Sequence, residues 1–254
     1  MALLEVKDLS IHFGGVKAVE GIEFSWESGQ VYAVIGPNGA GKTTLFNMIT
    51  GLYKPSRGEV FLEGQPIAGK RPNALAQMGM ARTFQNLQIF MNMSALENVM
   101  VGAHLRLDRS WLKGLMAWPS LRKADQALRQ EAADWMDFVG LQEQVNARAD
   151  SLPYGALKRL EIARALAMKP RLIFLDEPAA GLNATETEEI VALIRKIANA
   201  GMTVVLVEHD MKLVMNLSDR ILVMESGRKL AEGTPAEVRQ NPAVIAAYLG
   251  GIEP

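Results

Sequence analysis

Residues 36–43, Gly36-Pro37-Asn38-Gly39-Ala40-Gly41-Lys42-Thr43, fit the pattern G-x-x-x-x-G-K-[ST] and follow a continuous apolar run, residues 31–35. Glycines at these positions let the backbone turn its N–H groups toward phosphate oxygens. A helix starting near Lys42 adds its positive end, and Lys42 adds a point charge. Thr43 offers a hydroxyl to Mg2+, and Thr44 follows within reach of the same phosphates. A glycine-rich turn that only starts a helix would not need all of the fixed positions after a strand. A second candidate is Arg171-Leu172-Ile173-Phe174-Leu175-Asp176-Glu177, an apolar strand ending in two carboxylates. Asp176 is suited to the magnesium shell and Glu177 to polarising an attacking water. Many strands end in acidic residues because the chain re-enters solvent; the phosphate loop changes the reading of this pair. His209 closes the run 203–208 in the same way, where an imidazole can donate a hydrogen bond to a γ-phosphate.

Such groups need a scaffold that brings strand ends together. Residues 3–13, 22–26 and 31–35 read as strands, the last buried on both faces, and residues 59–63 and 80–84 as two more. From 94 to about 149 the pattern is mostly helical, clearest where Leu121, Ala124, Leu128, Ala132, Trp135 and Val139 recur at spacings of three and four. An aromatic and basic stretch around residues 108–121 has no period and reads as an insertion, with surface packing as its plain role. After Pro153 come a helix to about 168, a strand at 172–175, a helix at 185–200 and strands at 203–207 and 221–224. Strands alternating with helices predict an α/β fold with a mainly parallel sheet covered on both faces, behind an N-terminal antiparallel β region. Ligands of such folds gather at the carboxyl ends of the strands.

The bulk properties narrow the function. With 254 residues and 49% hydrophobic content the chain can bury a large core, and 27 basic against 28 acidic residues leave a net charge of -1. A nucleic-acid partner is therefore not expected. There is no cysteine, which excludes disulfides and thiolate metal sites. Charge enters by Glu5 and Lys7, too early for a signal peptide, and the apolar runs are strand-sized rather than the roughly 20 residues of a membrane span. Any membrane role must pass through a partner.

Taken in order, these motifs resemble the ATP-binding subunit of an ABC transporter, and the likeness runs along essentially the whole chain. The resemblance implies a P-loop NTPase core, residues 1–254 forming one ABC-type ATPase domain and residues 86–165 a helical subdomain. It implies that Phe13 stacks on adenine, a core Phe being the competing reading, and that Gln85 senses magnesium and the membrane partner. The family's signature segment corresponds to Leu152-Pro153-Tyr154-Gly155-Ala156, and Ala179-Ala180-Gly181-Leu182-Asn183 to the loop after the catalytic carboxylate. That signature departs from L-S-G-G-Q, with Pro153 for the serine, Tyr154 for the first glycine and Ala156 for the glutamine. Pro suits the first turn of a helix, but the serine hydroxyl is lost. In the family this segment contacts the γ-phosphate of ATP held by a second subunit, so here the contact should rest on the Gly155 backbone and the helix dipole.

Within the family the resemblance is to an ATPase of branched-chain amino-acid uptake, carried by Arg82-Thr83-Phe84-Gln85-Asn86-Leu87-Gln88-Ile89-Phe90, Leu160-Glu161-Ile162-Ala163-Arg164, Glu208-His209-Asp210-Met211 and the ending around Tyr248. It implies ATP and Mg2+ as ligands, integral-membrane permease subunits, a second ATPase subunit forming a heterodimer or else a homodimer, and a periplasmic or extracellular substrate-binding protein. It also implies a peripheral location on the cytoplasmic face of the inner membrane. The permease groove is expected near residues 85–93, with Leu87, Ile89, Phe90 and Met91 as contacts or as a buried core segment. Transport of another cargo, such as urea or a lipid intermediate, is the rival reading; a soluble ABC ATPase acting on ribosomes or DNA is disfavoured by the single motif set and the absence of sustained heptads.

Overall fold

Two sheets share one interior in the computed structural model, which describes residues 2–106 and 118–249. The first is antiparallel, ordered β2-β1-β4-β5, from β1 (Leu4–Phe13), β2 (Val16–Trp26), β4 (Arg57–Leu62) and β5 (Gln65–Pro66). The second is ordered β10-β9-β3-β8-β7-β6, from β3 (Val31–Ile35), β6 (Met80–Arg82), β7 (Leu172–Asp176), β8 (Thr203–Val207), β9 (Arg220–Glu225) and β10 (Arg228–Gly233). All neighbours in it are parallel except β9 and β10. Every residue of β3, β7 and β8 is buried, as a sheet covered on both faces requires.

Alternation along the strands divides the core in two. Val31, Ala33, Ile35, Ile173, Leu175 and Leu206 face one cluster, shared with the helices α3 (Ala95–Gly102), α4 (Trp118–Phe138), α5 (Tyr154–Leu166) and α6 (Ala184–Asn199). Tyr32, Val34, Phe174, Val205 and Val207 face the other, shared with α1 (Lys42–Ile49) and the antiparallel sheet. The stacked rings Phe24–Trp26 and Trp26–Tyr32, with centroids 4.0 and 4.7 Å apart, join the two sheets. Asn183 with Glu186 forms a capping box at the start of α6. Among the described residues, no helix is long and apolar enough to cross a membrane.

Several boundaries differ from the sequence expectation, each for a local reason. β2 starts at Val16, well before 22, because register shifts in its pairing with β1 break the two-residue alternation. β6 ends at Arg82, so Phe84 lies in the loop that follows. The short helices α2 (Pro72–Gln77), α7 (Met211–Leu217) and α8 (Pro235–Gln240) and the edge strand β10 carry too few periodic apolar residues to stand out. Pro153 is the N-cap of α5 rather than part of its first turn, and no side chain caps that helix. The final helix α9 (Pro242–Leu249) buries Val244 against the core. Residues 107–117, the centre of the expected insertion, lie outside the described residues.

Candidate functional site

The phosphate loop leaves β3 and enters α1, and its shape demands glycine at two places. Gly36 has φ 155°, and a Cβ there would sit 2.1 Å from the Met224 carbonyl oxygen. Gly41, the N-cap of α1 with φ 95°, would place one 2.7 Å from the Ala18 carbonyl oxygen. Inside the turn, the Lys42 Nζ donates to the carbonyls of Gly36 (2.7 Å) and Pro37 (3.1 Å) and is only 7% exposed. Burial pushes the Lys42 ammonium below its ordinary value, while the nearby Glu177 charge pulls it up. The tail helix reaches the same loop: burial pushes the Tyr248 hydroxyl up to about 12, and the Gly36 N–H acts in the opposite direction.

A cleft of about 560 Å³ opens over this loop. Asn38, Gly39, Ala40, Gly41, Lys42, Thr43 and Thr44 line it, together with Glu177, His209, residues 16–18 and the Ser226-Gly227 turn. Three strand ends, those of β3, β7 and β8, thus meet at one opening, as the parallel sheet dictates. Glu177 follows β7 in a left-handed conformation, φ 48°, which costs a non-glycine residue on the order of 1–3 kcal/mol. Its N–H donates to the Val207 carbonyl (3.0 Å), and its Oε1 meets the His209 Nε2 at 2.9 Å. Lys158, from α5, donates to the Glu177 carbonyl at 3.2 Å. Behind His209, the buried Glu208 accepts from the N–H groups of Ala179 and His209, which fixes the turn after β8. Burial pushes the Glu208 carboxyl above the usual range.

Asp176 sits deeper. Its Oδ2 pairs with Arg82 at 3.0 Å, and the two side chains are 6% and 9% exposed. Arg82 also donates to Asn47 Oδ1 (2.6 Å) and Thr50 Oγ1 (2.8 Å) on and just after α1, so it ties the phosphate-loop helix to the acidic strand end. Removing one partner of a buried ion pair leaves an uncompensated charge. Arg82→Met is therefore expected to lower stability by about 3–5 kcal/mol. Urea unfolding, with an R82M/D176N double variant recovering part of the loss, checks it.

Other expected site residues stand outside the cleft. Phe13 is 47% exposed and packs edge-on against Tyr53, with centroids 5.4 Å apart. Gln85 is exposed in the loop after β6. Of the signature segment, Leu152 is half-buried, Pro153 and Tyr154 are exposed, and Gly155 and Ala156 are buried. A Cβ on Gly155 would stand 2.5 Å from Glu186 Oε1, so this position packs α5 against the start of α6. Sequence reasoning gave no role at the site to Arg82, Lys158, Glu208 or the Ser226-Gly227 turn. Their signals were a cation at a strand end, a lysine amid buried helical positions, an acid next to His209, and a turn dipeptide.

Residues 19–180 match the ABC transporter family, and residues 228–253 match a second family, the branched-chain amino acid ATP-binding cassette transporter. The high-affinity branched-chain amino acid transport ATP-binding protein BraF of Pseudomonas aeruginosa is 47% identical over 98% of each chain. Its counterpart LivG of Escherichia coli K12 is 45% identical over the same shares. An ATP-binding cassette of an ABC transporter, solved in its ADP conformation, superposes with a TM-score of 0.86 at 33% identity, covering 98% of this chain and 99% of that one. With the phosphate loop and Glu177, just past the end of β7, meeting at one cleft, the chain belongs to the ABC transporter family, among the ATP-binding cassettes of the branched-chain amino acid transport type.

Proposed function

We propose that this chain is the ATP-hydrolysing subunit of an importer for branched-chain amino acids, held peripherally on the cytoplasmic face of the membrane by separate permease subunits. The observation that carries the chemistry is the shared cleft: Lys42 and the loop N–H groups face Glu177 and His209 across a space that suits a triphosphate. The cargo rests on the likeness to BraF and LivG and on the matching C-terminal segment.

The loop binds the phosphates of ATP and Lys42 neutralises their charge. Glu177, anchored through its backbone and paired with His209, orients water and takes its proton as the terminal phosphoryl group is attacked. His209 donates a hydrogen bond toward the developing charge. The donors for Mg2+ fit a hard cation: the Thr43 hydroxyl and Asp176, one of whose oxygens lies outside the Arg82 pair, with phosphate and water completing the shell. Bound there, the ion would neutralise charge on the phosphates. Gln85 extends that site toward the membrane partner, and Phe13 takes the adenine.

A second ATPase subunit, different from or identical to this one, completes each site with residues 152–156. The uncapped N-terminus of α5 supplies backbone N–H groups, but Pro153 supplies no hydroxyl. The composite site using this segment should therefore hydrolyse more slowly than one using a serine-bearing partner; equal rates with one base glutamate disabled at a time would overturn this. Beside Gln85, a cleft of about 420 Å³ lined by Phe84, Leu87, Ile89 and Phe90 supports the expected permease groove. A substrate-binding protein outside the membrane delivers the cargo.

The test is uptake. Cells lacking this chain should fail to accumulate radiolabelled leucine, isoleucine or valine, and the chain should co-purify with permeases. Undiminished uptake of all three, with loss of another solute, would assign another cargo.

A further inference from the structure

Lys158 is 3% exposed, a rare position for an ammonium group, and no motif of the sequence gives it a role. It lies in the second turn of α5, beyond the segment that meets the second subunit. An ammonium is buried at such cost that its partners are informative. Lys158 donates at 3.2 Å to the backbone carbonyl of Glu177 and lies 5.8 Å from the centre of the Tyr154 ring. The Glu177 residue it holds has φ 48°, a conformation that a non-glycine residue keeps only when its surroundings enforce it. On the other side of that residue, the N–H is held by the Val207 carbonyl. The Ala180 N–H donates to the same carbonyl at 3.1 Å, so Lys158 adds a second, side-chain donor to a backbone turn and the three bonds pin both ends of the residue whose carboxylate faces the cleft.

The same face of α5 continues to the loop beyond β6. Glu161, also 3% exposed, accepts from the Gln88 N–H at 3.4 Å, and Arg164 donates to the Gln88 carbonyl. Arg164 additionally lies 5.8 Å from the centre of the Phe90 ring, at the apolar groove. Burial pushes the Glu161 carboxyl up, and the Gln88 N–H, Arg164, Lys158 and the Phe84 N–H oppose that. At spacings of three, these side chains project from one side of a helix.

We propose that Lys158 is a positioning residue for hydrolysis: it holds the Glu177 peptide in its left-handed turn, and with Glu161 and Arg164 it makes α5 a strut between Glu177 and the loop bordering the groove. This rests on the reading of Glu177 as the base. A shift of the groove loop is carried along a rigid helix to the carbonyl of the residue that activates water. Nucleotide binding does not use the strut, because Lys42 and the phosphate loop are anchored on β3 and α1.

The test uses the full chain assembled with its permeases. Lys158→Met should lower kcat roughly tenfold or more while the Kd for a fluorescent ATP analogue stays within about twofold, and Lys158→Arg should restore most of the rate. A residue that only stabilises the fold would not separate kcat from Kd. Should Lys158→Met not fold, Lys158→Gln, which keeps a neutral donor on a shorter stem, should show the same split. Wild-type kcat in the neutral variants would overturn the positioning role. For the strut, Lys158→Met and Arg164→Met should be less than additive in kcat; strict additivity would overturn it. Glu177→Gln in the same assay reports on the base separately: continued turnover there removes the reading of Glu177, whereas a dead Glu177→Gln beside fully active Lys158 variants removes only Lys158.

Discussion

Glu177→Gln is expected to bind ATP as tightly as the unaltered protein, to dimerise in its presence, and to hydrolyse it at least about a hundredfold more slowly. The amide has the shape of the carboxylate and leaves the backbone untouched, so the φ of 48° and the bonds to Val207 and Lys158 persist. What it loses is the proton acceptor. The proposal that Glu177 plays that role rests on its surroundings: its side chain is 19% exposed on the cleft wall, and its Oε1 is 2.9 Å from His209. The phosphate loop, 36–44, receives its geometry from β3 and α1 and does not depend on the carboxylate charge. Single-turnover hydrolysis and size-exclusion chromatography with ATP measure the two halves of this expectation. A rate within about threefold of wild type would point to another base, and His209→Ala would be the next variant to make.

The two motifs to which the proposal assigns this chemistry were legible because each is contiguous. A G-x-x-x-x-G-K-T run after five apolar residues specifies strand, turn and helix at once, and the strand ending in Asp176-Glu177 is defined by the same apolar density. Parallel pairing then puts both at the same edge, which follows from topology rather than from either motif. The relationships that cross the fold were not legible. Arg82 reaches Asp176 across 94 positions, and Lys158 meets the Glu177 carbonyl from a helix whose periodicity marks that position as core. No local pattern states that a buried cation will be satisfied by a backbone carbonyl elsewhere. β10 was missed for the opposite reason: as an edge strand rich in charge, it carries little of the alternation that makes strands visible. Phe13 and Gln85 were legible as positions in a motif order, and both lie exposed outside the cleft lining.

Lys42→Ala is expected to weaken ATP binding roughly 10- to 150-fold, the equivalent of losing a charged hydrogen bond worth about 1.5–3 kcal/mol. Stability should change much less, because the ammonium is buried at a desolvation cost that its two carbonyl partners, at 2.7 and 3.1 Å, offset. The pH dependence separates a charge effect from a shape effect. Burial holds the free-protein pKa of Lys42 below the ordinary 10.5, while bound phosphates favour the ammonium and raise it. Binding therefore takes up a proton in the window between the two values. Affinity is complete below the free-protein pKa and falls as pH rises through it. Folding has the opposite sign: burial penalises the charged form, so this residue's destabilising contribution is present at low pH and relieved as pH climbs past the folded pKa toward 10.5. Calorimetric titration of ATP from neutrality upward should show affinity falling with proton uptake in the unaltered protein. Lys42→Ala should lack this component, and its affinity should approach that of the unaltered protein at the alkaline end. A pH profile shared by both proteins would assign the binding energy to the loop N–H groups alone, leaving Lys42 to act on the transition state rather than on bound ATP.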